Sequence, residues 1–109
     1  MPPVKIEIPA STPRDLRDEF AGLLEQLGPV QDLTAKSFNL DTAMLVLAGI
    51  SATADLLAIA TRLIGWREKA RRRSVPLDKV TIVAGDQRIN LQNTDTQTLT
   101  RLLENLRDT

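Results

Sequence analysis

Fourteen basic and fourteen acidic residues cancel over 109 positions, so this is one domain's worth of chain with no net field to draw in nucleic acid or anionic lipid. At 42% hydrophobic residues it can bury a core. Cysteine and histidine are both missing, which excludes a disulfide framework, a thiolate nucleophile, the usual zinc sites and histidine-based acid–base catalysis.

Val4-Lys5-Ile6-Glu7-Ile8 alternates apolar and charged residues, the pattern of a strand with one buried and one wet face, and Pro9 ends it. Pro13 suits a first helical position, and Asp15 adds negative charge to the first turn. Leu16, Phe20, Leu23, Leu24 and Leu27 follow at helical spacing, so a helix runs to about Leu27, where Gly28-Pro29 stops it. A second strand is predicted at roughly 32–38.

The stretch from Asp41 to Arg73 dominates the reading. It holds no proline, is rich in Ala and Leu, and carries no charge from Thr42 to Ala54. With Asp41 as N-cap and Arg67, Lys69, Arg71, Arg72 and Arg73 near the negative end of the dipole, it is predicted as one long helix. On a helical wheel its apolar residues form two lobes. Leu45, Leu56, Ile59 and Leu63, with Gly49, Ala52 and Ala60 beside them, make one; Val46, Ile50, Leu57 and Ile64 make the other. Such a helix would be about 50 Å long, against a radius of gyration near 13 Å for a domain of this size, so it must bend, end early near Gly65, or project.

Three roles compete for this stretch: a membrane span, a central core helix, or a core helix whose second lobe meets another chain. Asp55 and Arg62 oppose the first, because each costs about 2.5–3.5 kcal/mol in mid-bilayer. Contiguous apolar surface is rarely left open on a soluble monomer, which favours the third. The candidate contact residues are then Leu45, Gly49, Ala52, Leu56, Ala60 and Leu63.

Beyond the break at Ser74-Val75-Pro76, Lys79-Val80-Thr81-Ile82-Val83 reads as a strand. The turn dipeptide Gly85-Asp86 joins it to Arg88-Ile89-Asn90-Leu91-Gln92 in a hairpin. Thr94 with Gln97 reads as a capping box opening a last helix that carries Leu99, Leu102, Leu103 and Leu106. The predicted fold is α+β: a two-layer sandwich of order β-α-β-α-β-β-α, with a four-stranded mixed sheet, helices on one face and the long apolar helix at its centre.

The charged run Arg67, Lys69, Arg71, Arg72, Arg73 admits a phosphate or anionic-lipid contact. A solvated helix end matched to its dipole is the preferred reading, with Glu68 and Arg72 paired four apart. Asp55 has no basic residue three or four positions away, and Arg62 has Trp66 four residues on as a possible cation–π partner. Gly85-Asp86-Gln87 lacks the frame of a phosphate loop. No pair of carboxylates is spaced for acid–base work, and no catalytic residue, metal site or cofactor is expected.

The chain resembles the small bacterial family called effector-associated constant component. The likeness spans nearly all of it: an opening strand at Val4-Lys5-Ile6-Glu7-Ile8, an amphipathic helix, a second strand, and an Ala/Leu-rich helix ending in Trp66 and Arg71-Arg72-Arg73. A hairpin at Gly85-Asp86 and a helix with Leu102-Leu103 complete it. The resemblance implies a non-enzymatic accessory component of bacterial conflict or defence systems, whose partner is itself or an effector such as a caspase-like or trypsin-like peptidase. The expectation is a cytoplasmic protein acting through the long helix, with no nucleic acid partner. The alternative is a membrane-active component whose helix 41–66 embeds in a bilayer with the arginine run on headgroups.

Overall fold

In the computed structural model, which describes residues 3–32 and 42–108, the opening strand β1 (Val4–Pro9) is the centre of the molecule. Its alternation is used as the sequence suggests: Val4, Ile6 and Ile8 are buried, while Lys5 and Glu7 point to the other face. Helix α1 (Arg14–Glu25) follows, with Pro13 at its N-cap, and buries Leu16, Phe20 and Leu24. Strand β2 is short (Val30–Asp32). The strand predicted at 32–38 lies, apart from Asp32, outside the described residues, as does the proposed cap Asp41.

The largest departure from expectation comes next. Thr42–Leu47 is a strand, β3, and helix α2 begins only at Leu56 and ends at Arg72. The continuous helix over 41–73 is therefore corrected to strand, loop and a 17-residue helix. Asp55, read as an oddity inside a helix, is the N-cap: its carboxylate accepts the amide of Ala58 at 3.1 Å.

A 3₁₀ turn at Leu77–Lys79 leads into β4 (Thr81–Ala84) and β5 (Gln87–Asn90), the predicted hairpin. Gly85 takes φ +58 at the first position of the two-residue turn, which a type II′ hairpin loop requires. The closing helix α3 (Thr96–Arg107) is capped by Asp95, which accepts the amide of Thr98 at 2.7 Å. Thr94 is thus one residue too early for the predicted capping box.

Among the described residues the sheet has five strands, ordered β2-β3-β1-β4-β5, and every neighbouring pair is antiparallel. The expected four-stranded mixed sheet is corrected on both counts, while the α+β class stands. Because β3 and β4 flank β1 and both oppose it, they run parallel to each other, with α2 as their crossover. Register aligns Ile6 with Leu45 and Ile82, Val4 with Leu47 and Ala84, and Ile8 with Ala43. These residues form the floor of the core. Helix α2 lies between α1 and α3 and supplies Leu56, Ile59, Ala60, Leu63, Trp66 and Ala70 to it.

Trp66 locks this layer to α1. Its Nε1 donates to the carbonyl of Leu16 at 2.7 Å, and its ring lies 4.5 Å from that of Phe20. Arg62 does not use Trp66 as a cation–π partner; its guanidinium donates to Gln26 at 2.6 Å. The chain leaves α2 by a Schellman turn: Val75 N donates to Ala70 O, Ser74 N donates to Arg71 O, and Ser74 holds φ 60.

Three substitutions test this local geometry. A Cβ at Gly28 would be driven into the backbone carbonyl oxygen of Gly49, across the contact where Ser51 N donates to Leu27 O. Gly28→Ala should destabilise by about 2 kcal/mol in chemical denaturation. Gly22→Ala, where a Cβ meets nothing in α1, should stabilise by roughly 0.5–1 kcal/mol. Ser74→Gly should add about 0.5–1 kcal/mol by relieving a left-handed non-glycine residue, read as a raised melting temperature.

Candidate functional site

The six residues proposed to share one helix face are dispersed by the β3–α2 break. Leu45 is on the core face of β3. Leu56, Ala60 and Leu63 are on the buried side of α2. Gly49 and Ala52 belong to the connecting loop. The first apolar lobe of the wheel is thus the core of this domain.

The second lobe is divided. Val46 is half-buried on the outer face of the sheet, and Ile50 and Ile64 pack partly against the core. Leu57 stands out at 60% exposed, the exposed large hydrophobic residue among those described. Around it on the outward side of α2 come Thr61 and Gly65, both exposed, and Ala58 and Ile64, half-buried. Thr61 turns its hydroxyl back onto the carbonyl of Leu57 at 2.8 Å. The bordering charges are tied elsewhere: Asp55 to the cap, Arg62 to Gln26, and Glu68 to Arg71 at 3.0 Å. The result is an uncharged strip of helix surface with one protruding leucine.

The arginine run is largely engaged within the protein. Arg67 is the most deeply placed, with its Nη1 donating to the carbonyls of Leu91 at 3.2 Å and Thr94 at 2.5 Å. It thereby ties the end of α2 to the start of α3. Lys69 pairs with Glu19, Arg71 with Glu68, and Arg73 with Asp15. Arg72 lines a shallow groove between α1 and α2 together with Asp15 and Glu19. Glu68 pairs with Arg71 rather than with the predicted Arg72. Among the described residues no helix is long and apolar enough to cross a membrane, and the proposed embedding helix 41–66 is not continuous.

A third feature has no counterpart in the sequence reading. The face of the sheet opposite the helices carries a concavity of about 540 Å³, bounded by Glu7, Thr42, Asp78, Lys79, Thr81, Arg88 and Asn90. Register explains the gathering, since Thr81 on β4 lies between Glu7 on β1 and Asn90 on β5. Arg88 Nη2 donates to Glu7 Oε2 at 3.1 Å, and the Asn90 amide donates to the carbonyl of Asp78, fastening the 3₁₀ turn as a rim. These residues are 81 positions apart in the case of Glu7 and Arg88. Only strand order brings them together, so local sequence motifs could not reveal them.

Two carboxylates have identifiable electrostatic settings. The Arg73 guanidinium, hydrogen-bonded to Asp15, holds that carboxyl below its ordinary value. The amide of Thr98 does the same for Asp95. A carboxyl whose folded value is depressed adds stability above its unfolded value and loses it as pH falls through the folded one. Asp15→Asn should therefore be less stable than wild type at neutral pH, with the difference shrinking as pH falls below the ordinary carboxylate range. Urea midpoints across that range measure it. Asp95→Asn should behave likewise.

No family model matches the chain, and neither does any curated protein or solved structure.

Proposed function

We propose that this protein is a non-enzymatic interaction module that contacts a protein partner through the outward face of α2, in the manner of the effector-associated accessory components it resembles. One observation carries the reading: Leu57 is 60% exposed at the centre of an uncharged strip whose bordering charges are already hydrogen-bonded within the protein. The strip itself carries no charge, so a partner could cover it without placing an ion of α2 at the centre of the contact.

The scale of the strip sets the kind of contact. A standard interface buries about 800 Å² on each partner, far more than one leucine and its neighbours offer. A transient contact, or one completed by surfaces beyond α2, follows. Full burial of a leucine contributes about 1.5–3 kcal/mol, and Leu57 still has more than half of that available.

The contact was expected on the long helix, and it is retained here on the part that exists as a helix, with Leu57 replacing the six buried or loop-borne candidates as its centre. The proposed partner is an effector, a peptidase in the resemblance, or a second copy of the chain. The setting proposed for it is the cytoplasm.

The test is co-purification of the wild-type protein with a caspase-like or trypsin-like peptidase, chosen from the genes flanking its own where one is encoded there, together with sedimentation of the protein alone over a range of concentration. Leu57→Ala should weaken the complex by about fivefold and Leu57→Glu should abolish it, with circular dichroism unchanged because the side chain is exposed. A wild-type protein that stays monomeric and binds no such effector, or a complex indifferent to Leu57→Glu, overturns the proposal.

A further inference from the structure

The concavity on the open sheet face is independent of the α2 strip and lies on the opposite layer. Its charged residues are two acids, Glu7 and Asp78, and two bases, Lys79 and Arg88, so the site as a whole is neutral. A dianion such as phosphate would meet two carboxylates, and a bare cation would meet an arginine and a lysine. A ligand with one charge of each sign meets a partner for both.

The groups are also incompletely used. Glu7 takes only one nitrogen of Arg88, leaving the rest of the guanidinium fork to receive a carboxylate. The side chains of Asp78 and Lys79 form no ion pair with a described residue. Thr81 is the most telling. It is only 7% exposed, yet its hydroxyl bonds to no described residue and its side chain forms part of the cavity wall. That hydroxyl is not sealed off in the core, and at the cavity wall it is open to donate to a bound group.

We propose that this concavity binds a small zwitterion of the amino-acid class. The carboxylate is received by Arg88, Lys79 and the Thr81 hydroxyl, and the ammonium by Asp78 with Glu7 behind it. The volume of about 540 Å³ is ample for such a molecule. Binding is weak, because the charged side chains are largely exposed and each contact is screened.

The test is a ¹⁵N-NMR titration of the whole chain with glycine and the common amino acids, and with acetate and methylammonium as half-ligands. Saturable shifts centred on the amides of Lys79, Thr81 and Arg88 are expected for at least one amino acid, with each half-ligand weaker by about tenfold or more. Thr81→Val keeps the side-chain shape and should lower the affinity by about tenfold, while Thr81→Ser retains it. Leu57→Glu should leave the titration unchanged. The proposal is overturned if no amino acid gives saturable shifts, if acetate alone matches the amino acids, or if Thr81→Val binds as well as wild type.

Discussion

The indole of Trp66 is the joint on which the helical layer turns. It is fully enclosed, yet its one polar group is satisfied by the carbonyl of Leu16, so burying it leaves no unpaired donor. The contact with Phe20 adds a tilted aromatic pair at 46°. Together these fix both the rotation and the axial position of α2 against α1. That rotation decides everything outward: with Trp66, Leu63, Ile59 and Leu56 turned inwards, Leu57, Thr61 and Gly65 are turned out. The surface chemistry of α2 is thus a consequence of how its core residues seat.

Charges on this protein do structural work at short range. Arg67 reaches the carbonyls that precede α3, Arg73 and Lys69 reach α1, and Arg17 reaches β2 through Asp32 at 2.7 Å. Exposed pairs of this kind contribute little individually. Their effect is to fasten three helices and an edge strand to one another around a core that already holds. A run of cations that looks like an anionic-surface motif in the sequence is, in the fold, mostly matched to carboxylates and carbonyls drawn from elsewhere in the chain.

Elements with one wet face were legible in the sequence. β1, α1, the β4–β5 hairpin and α3 each alternate or repeat with a clear polar side, and their positions were predicted to within a few residues. β3 was not, for a physical reason. Ala43, Leu45 and Leu47 face the core, but Met44 and Val46 on the other face are apolar too, so the period of two that marks a strand disappears. Ala- and Leu-rich composition then favours a helix, and the loop before Asp55 holds no proline to interrupt it. The conflict was visible in the dimensions: a 50 Å helix cannot sit within extents of 33 × 29 × 23 Å. Ending the helix at a capping aspartate resolves it, and Asp55 was the residue that had no helical partner. The polar concavity was illegible for another reason, since it is assembled from β1, β4, β5 and a 3₁₀ turn by long-range register.

Trp66 has one more property. The chain contains a single tryptophan and no tyrosine. Its near-ultraviolet absorption and emission therefore come almost entirely from one indole, sealed between two helices and hydrogen-bonded to a known carbonyl. The protein carries its own optical gauge of whether α1 and α2 are docked. Ligands bound on the open sheet face or partners on the far side of α2 would approach without touching that chromophore, so a change in its light would report a shift in the core itself.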